Sequence, residues 1–316
     1  MNHAQSTSHL LMIRPASFRK NEETAANNHY QQEADVDDVA QRAIDEFDAF
    51  VDVLRRHDVN VLVVDDVAEA NTPDALFPNN WVSFHDDGRV ALYPMFAPNR
   101  RAERREDILH DLAHTHGFDV TEIVDFTEFE AHHAFMEGTG SMVLDRIHGK
   151  AYAALSPRTD RDAFAQVCDV LDLEGVVFEA FQTVGTDRLP IYHTNVMMAV
   201  GTGWAAVCLD CLDHPEDREL LEQSLREDGH VLVELTEDQL GEFAGNMLEV
   251  TSTRGEKLIV MSERARRALS DTQRATLSSF GTLVSSDLSV IETCGGGSAR
   301  CMMAEIHLPP FQEHAT

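Results

Sequence analysis

Residues 137–181 read EGTGSMVLDRIHGKAYAALSPRTDRDAFAQVCDVLDLEGVVFEAF, and the period of their apolar residues changes along the way. Glu137 to Asp145 turns on glycine and runs into an apolar strand. Ala151 to Leu155 is a second strand, close enough behind the first to fold back as a hairpin. Thr159 to Leu171 carries its apolar residues at helical spacing, and Gly175 to Phe181 is extended again. The unit is strand, strand, helix, strand.

The same order recurs on either side. Upstream, the strand after Phe77-Pro78-Asn79-Asn80 pairs with Val90 to Tyr93 across the turn at Asp86 to Gly88. A helix over Arg100 to His116 and a strand over Asp119 to Val124 follow. Downstream, Asn195 to Val200 and Trp204 to Leu209 form a hairpin, with a helix over Glu216 to Glu227 and a strand over His230 to Leu235. Met247 to Ser252 then pairs with Lys257 to Met261, before helices over Ser262 to Phe280 and a strand near Leu283. The chain opens with a strand at Leu10 to Ile13, a long polar loop to about Gln32, an amphipathic helix over Asp37 to His57 and a strand at Val59 to Val64. A repeat of roughly 55–60 residues, some five times over, predicts radial repetition. Five ββαβ units closing on themselves make a five-bladed α/β propeller without open sheet edges. An open α/β sheet is the alternative from element order, and the hairpins disfavour it. No Pro-, Gly- or Ser-rich linker divides the chain, so residues 1–316 are expected to form one domain.

Chemistry concentrates where these units turn. The stretch Glu292 to Pro309, ETCGGGSARCMMAEIHLP, sets three glycines four residues before Cys301, with a strand expected over Met302 to Leu308. The glycines read as a loop that lets backbone approach another molecule. His193 lies in PIYHTNVMM, and Glu137 and the Phe77–Asn80 turn also stand at hairpin starts. A thiol, an imidazole and a carboxylate from distant segments are what covalent catalysis by cysteine needs: attack, proton movement and orientation of the imidazole. Plainer readings exist for each alone: a free cysteine is usually a small core residue, a lone histidine sits at a core edge, and Glu137 before glycine suits an ordinary turn. His132-His133 lacks a third ligand at recognisable spacing, so neither metal nor cofactor is expected.

Composition narrows the partners. The 316 residues hold 55 acidic and 25 basic side chains, a formal charge of −30. Such a field repels nucleic acid and anionic membranes. Only three of the basic residues are lysine (Lys20, Lys150, Lys257), and an acidic, lysine-poor surface suits high salt, where self-repulsion is screened. No apolar run is long enough to span a bilayer, and the first residues do not read as a signal peptide. Five cysteines, an odd number, fit free thiols in a reducing cytoplasm. Cys208-x-x-Cys211 has no second pair and reads as packing at a strand end. That leaves a small molecule as the expected partner, in a chain free to form homo-oligomers.

The order FPNN (77–80), RRAE (100–103), EGTG (137–140), SPRT (156–159), YHTN (192–195) and GGGSARCM (295–302) resembles the guanidino-group-modifying, or pentein, superfamily. More narrowly, RPASF, NEETAANNHYQ, FPNNW, YHTNVMM and GNMLEV resemble its citrulline-hydrolysing branch. The resemblance runs from Met12 to about Pro309. It implies the five-bladed propeller, Cys301 as nucleophile, His193 as general acid and base, and Glu137 as the carboxylate engaging substrate nitrogens and His193. It implies Arg158, with Arg100 or Arg101, as holders of a substrate carboxylate, Phe77 and Asn80 as substrate-binding, and Cys294 as a structural thiol. Two positions depart from the arginine-deiminating pattern. Asn80 stands where an acidic residue pairs with a guanidinium, and Asn195 replaces a second one. Both favour a neutral ureido group, so citrulline hydrolysis to ornithine, ammonia and carbon dioxide is expected. An arginine dihydrolase or deiminase is the alternative, and an amidinotransferase comes after it. A non-catalytic ribosome-binding member of this fold would lack the Cys–His–Glu set.

Overall fold

Val143–Asp145 pairs antiparallel with Lys150–Leu155, and Glu174–Glu179 adds in parallel on the far side. The connection between the last two is the helix Arg161–Val170, capped by Asp160 and buried along Ala163, Phe164, Val167 and Cys168. This is the unit read from residues 137–181. In the computed structural model, which describes residues 3–311, it recurs around three further hairpins. Val82–Phe84, Arg89–Leu92 and Glu122–Asp125 form one such sheet. Met198–Gly201, Trp204–Val207 and Val231–Glu234 form another, and Leu248–Thr251, Lys257–Ser262 and Thr282–Ser286 a third.

A further three-stranded sheet joins the two ends of the chain. His9–Arg14 pairs in parallel with Asn60–Asp65 and antiparallel with Ala304–Glu305, matching Leu10 to Glu305. The helix Val39–Arg56 makes the crossover and buries Phe47, Phe50 and Leu54, each contributing about 1.5–3 kcal/mol by leaving water. Among the described residues no sheet exceeds three strands, so the protein is a mixed α/β fold of separate small sheets. First strands lie beside first strands: Val143–Asp145 packs next to Met198–Gly201, and that strand next to Leu248–Thr251. No helix among the described residues is long and apolar enough to cross a membrane.

Several elements differ from expectation. The helix expected over 100–116 is a 3-10 segment, Pro98–Glu103, then the helix Glu106–His114. Arg104 is extended between them, which lets Arg100 and Glu103 turn inward. The first of the three glycines is not loop, because Gly295 ends the helix Ser289–Gly295 and Gly296 caps it at φ +63°. Cys301 sits on the 3-10 turn Ala299–Met302, and the strand expected over 302–308 shrinks to Ala304–Glu305. A hairpin, Phe181–Val184 with Asp187–Pro190, had no counterpart in the sequence reading.

What matters for the site is the turn before each first strand. Pro78–Asn80, Gly138–Ser141, Thr194–Met197 and Ala299–Met302 are all short helical turns entering such a strand. The fifth position is the Gly245-Asn246-Met247 bend before Leu248–Thr251. These turns deliver Asn80, Glu137, His193, Asn246 and Cys301.

Candidate active site

Glu137 is fully buried. Its Oε1 accepts the Phe96 N–H at 2.9 Å, and its Oε2 lies 2.7 Å from His193 Nε2 and 3.4 Å from Arg158 Nη1. Burial works to raise its carboxyl, but Arg158, the His193 hydrogen bond and Arg100 outweigh it and hold the group well below the ordinary carboxylate range. Burial pushes His193 down to about 4, against the pull of Glu137. The imidazole therefore rests neutral. With an ionised carboxylate accepting at Nε2, the proton sits there and Nδ1 keeps its lone pair. A neutral histidine with one free nitrogen is ready to take a proton.

Cys301 is 3% exposed. Two amides donate to its sulfur: Asn246 Nδ2 at 3.2 Å and Asn195 Nδ2 at 3.5 Å. Asn246 also accepts the Arg300 N–H at 3.0 Å through its carbonyl oxygen, so one side chain holds both the sulfur and the turn that carries it.

Cys301, His193, Asn80, Phe77, Arg100 and Arg158 line one tight cavity. The polar loop after the first strand covers it. Asn28 donates to the Gly296 carbonyl at 3.2 Å and Gln31 to the Gly295 carbonyl at 2.9 Å. The glycines permit that packing: a Cβ on Gly295 or Gly297 would stand 2.9 Å from the Phe77 ring, and one on Gly296 2.6 Å from Asn28.

The two arginines left open by the sequence separate. Arg100 lines the cavity, while Arg101 turns away to Glu130 at 3.2 Å and to the Met95 carbonyl. Arg100 does not offer a free fork to an anion, since Glu103 takes two of its donors at 2.9 Å each. Its Nη1 donates to Asn80 Oδ1 at 2.8 Å. That bond fixes the amide, because guanidinium only donates, and it leaves Asn80 Nδ2 buried without a partner among the described residues. Arg158 is likewise engaged, by the Thr24 carbonyl and Asn27 Oδ1 from the covering loop and by Glu137. His132 and His133 are exposed and take no part.

Two residues escaped the sequence reading. Asp74 reaches the cavity with one oxygen on Asn21 and Thr24 and the other, Oδ1, unpartnered among the described residues. It precedes the Phe77 turn by three residues. Asn246 carried a signal that was passed over: GNMLEV stands before a hairpin strand at the same phase as Glu137 and His193.

Residues 14–308 match the sequence profile of the family described as N,N dimethylarginine dimethylhydrolase, eukaryotic. The chain belongs to this family. Solved structures share its fold. One is the apo form of ArgZ, an arginine dihydrolase from the ornithine–ammonia cycle in cyanobacteria, at TM-score 0.69 and 18% identity. This chain is 96% covered by that match but spans only 41% of ArgZ. The substrate-bound N-terminal domain of ArgZ, a cysteine-to-serine variant, matches at TM-score 0.68 and 18% identity, covering 96% of this chain and 99% of that domain. The dimethylarginine dimethylhydrolase of Pseudomonas aeruginosa, a cysteine-to-serine variant complexed with citrulline, matches at TM-score 0.64 and 15% identity, covering 97% and 100%. No curated protein sequence matches the chain.

Proposed function

We propose that the protein is a hydrolase that attacks the ureido carbon of a free amino acid through Cys301, and that its substrate is citrulline. The observation that carries this reading is the orientation of Asn80. With its oxygen held by Arg100, the side chain presents a buried, unpaired N–H to the cavity. A ureido carbonyl accepts such a bond; a guanidinium has no acceptor.

In this mechanism the Cys301 proton passes to His193 Nδ1 as the sulfur adds to the ureido carbon, and the oxygen takes up negative charge against Asn80 Nδ2. His193 protonates the departing nitrogen as its C–N bond breaks, then takes a proton from water, which adds to the carbon and releases the sulfur. The resulting carbamate loses carbon dioxide. Citrulline and one water thus give ornithine, ammonia and carbon dioxide, in balance. Arg158 exchanges its bond with Asn27 for the substrate carboxylate, a bidentate partner suited to it. Asn195 and Asn246 hold the attacking sulfur. The same reading makes the five sheets the blades of a closed α/β propeller, with the site on its axis.

A second reading is arginine dihydrolysis at the same sulfur. The unpaired oxygen of Asp74 gives the cavity a carboxylate toward a cationic head, and ArgZ is an arginine dihydrolase. Incubation with citrulline, arginine and methylated arginines separates the two, with ornithine, citrulline and ammonia assayed individually. Ornithine from citrulline alone supports the first reading. Citrulline left untouched while arginine is consumed refutes it. A Cys301→Ala protein releasing ornithine at the wild-type rate refutes the covalent route.

A further inference from the structure

Away from Cys301, at the far end of the strand that follows Glu137, three side chains converge. Asp145 is the last residue of Val143–Asp145, His148 lies in the turn to the next strand, and His230 immediately precedes Val231–Glu234 of the neighbouring sheet. His230 Nε2 is 2.6 Å and His148 Nδ1 2.8 Å from the same oxygen, Asp145 Oδ2. The three ligand atoms lie within 4.8 Å of one another, and the two rings meet edge to face at 5.4 Å. Among the described residues no other trio of His, Cys, Asp or Glu brings its ligand atoms this close.

We propose that Asp145, His148 and His230 bind one divalent transition-metal ion of the zinc class, which fastens the sheet of Val143–Asp145 to that of Val231–Glu234. Two imidazoles and a carboxylate are the donor set such ions take, at about 2.0–2.2 Å from each donor. The observed donor spacing needs only slight opening to admit one. Charge argues the same way. Asp145 is fully buried, and among the described residues its ionic partners are these two histidines, with no Lys or Arg. A buried carboxylate with no Lys or Arg beside it has no fixed countercharge, and a divalent cation supplies one. The second oxygen is already oriented by the His148 N–H at 3.2 Å. His148 is partly exposed, leaving a side open for entry and for water.

Affinity has a stated ceiling. His230 Nδ1 is buried and has no partner among the described residues. A ligating histidine ordinarily donates from its second nitrogen, and lack of that support weakens binding roughly 10–100-fold.

The probe is cobalt(II), followed by zinc, titrated into the full chain carrying Cys301→Ser so that the reacting thiol does not compete. Molar sodium chloride screens diffuse attraction to the −30 charge. One equivalent should bind, with visible d–d absorption and no thiolate charge-transfer band, and zinc should raise the melting temperature. His148→Ala, a surface change that leaves folding intact, should weaken binding at least tenfold and abolish the zinc-dependent rise. Asp145→Asn and His230→Asn should remove binding. The proposal is overturned by absence of stoichiometric binding, by a thiolate band, which places the ion at Cys208 and Cys211, or by wild-type binding in His148→Ala.

Discussion

Gly140→Ala is the sharpest test of the site's geometry. A Cβ built there stands 2.3 Å from Asn80 Nδ2 and 2.8 Å from His193 Nδ1. Ordinary contact begins at 3.4 Å, so the Asn80 amide has to withdraw by about 1.1 Å and the imidazole by about 0.6 Å. One methyl group thereby moves both the donor for the developing negative charge and the proton acceptor. Misplacement by about 1 Å costs on the order of 10²-fold in rate, so kcat/KM for ornithine release from citrulline should fall at least that far. Overpacking should lower stability by about 1–3 kcal/mol. Gly149→Ala is the control. It has open space around its Cβ and φ of +66°, so it loses about 1–2 kcal/mol to the left-handed backbone and keeps its activity. Steady-state kinetics with thermal melts of both variants decide the matter. Near-wild-type turnover in folded Gly140→Ala would mean that Asn80 and His193 do not act at the positions assigned to them.

Three further outcomes are expected. Asn80→Asp keeps an acceptor for Arg100 but loses the N–H, so citrulline turnover should drop by about 10²–10³, as when an oxyanion donor is removed, while arginine turnover rises relative to it; competition assays with both substrates read this out. Asn246→Asp keeps an acceptor for the Arg300 N–H but loses the donor to Cys301 and to the Asn195 carbonyl and buries a carboxylate beside the sulfur, so Cys301 alkylation by iodoacetamide and kcat should both fall and the melting temperature should drop. Asn246→Ala should add a stability loss of about 1–3 kcal/mol from the unpaired backbone donor. Stability should also fall on acidification. The folded chain resists protonating His193 until about pH 4, whereas unfolded histidine accepts a proton near 6.5. Between those values the unfolded state holds more protons and the fold loses about 1.4 kcal/mol per unit for that group. Below about 4.5 the depressed Glu137 adds to the loss. Melts across this window should show a shallower slope in His193→Gln.

Much of this protein was legible in its sequence because its information is local. Alternating and helical spacings mark out the strands and helices of each unit, and glycine between Asp145 and Lys150 or after Val200 marks the hairpins. The repeat follows from those. Cys301, His193 and Glu137 were singled out because each stands at a hairpin start or loop end, and the family resemblance supplied the roles expected of them. The reading failed where long-range contacts override local preference. Arg100 leaves the expected helix because Glu103 and Asn80 offer it buried partners, and Gly295 joins a helix because that helix packs on Val39–Arg56. Which of Arg100 and Arg101 faces the cavity, which way the Asn80 amide points, and that Asn246 holds the sulfur are all set by atoms distant in sequence. So is the meeting of Asp145 with His230, 85 residues apart. The sequence by itself determined most of the elements and the candidate reacting groups; only the tertiary structure decided which polar atoms were satisfied and which were left to bind something else.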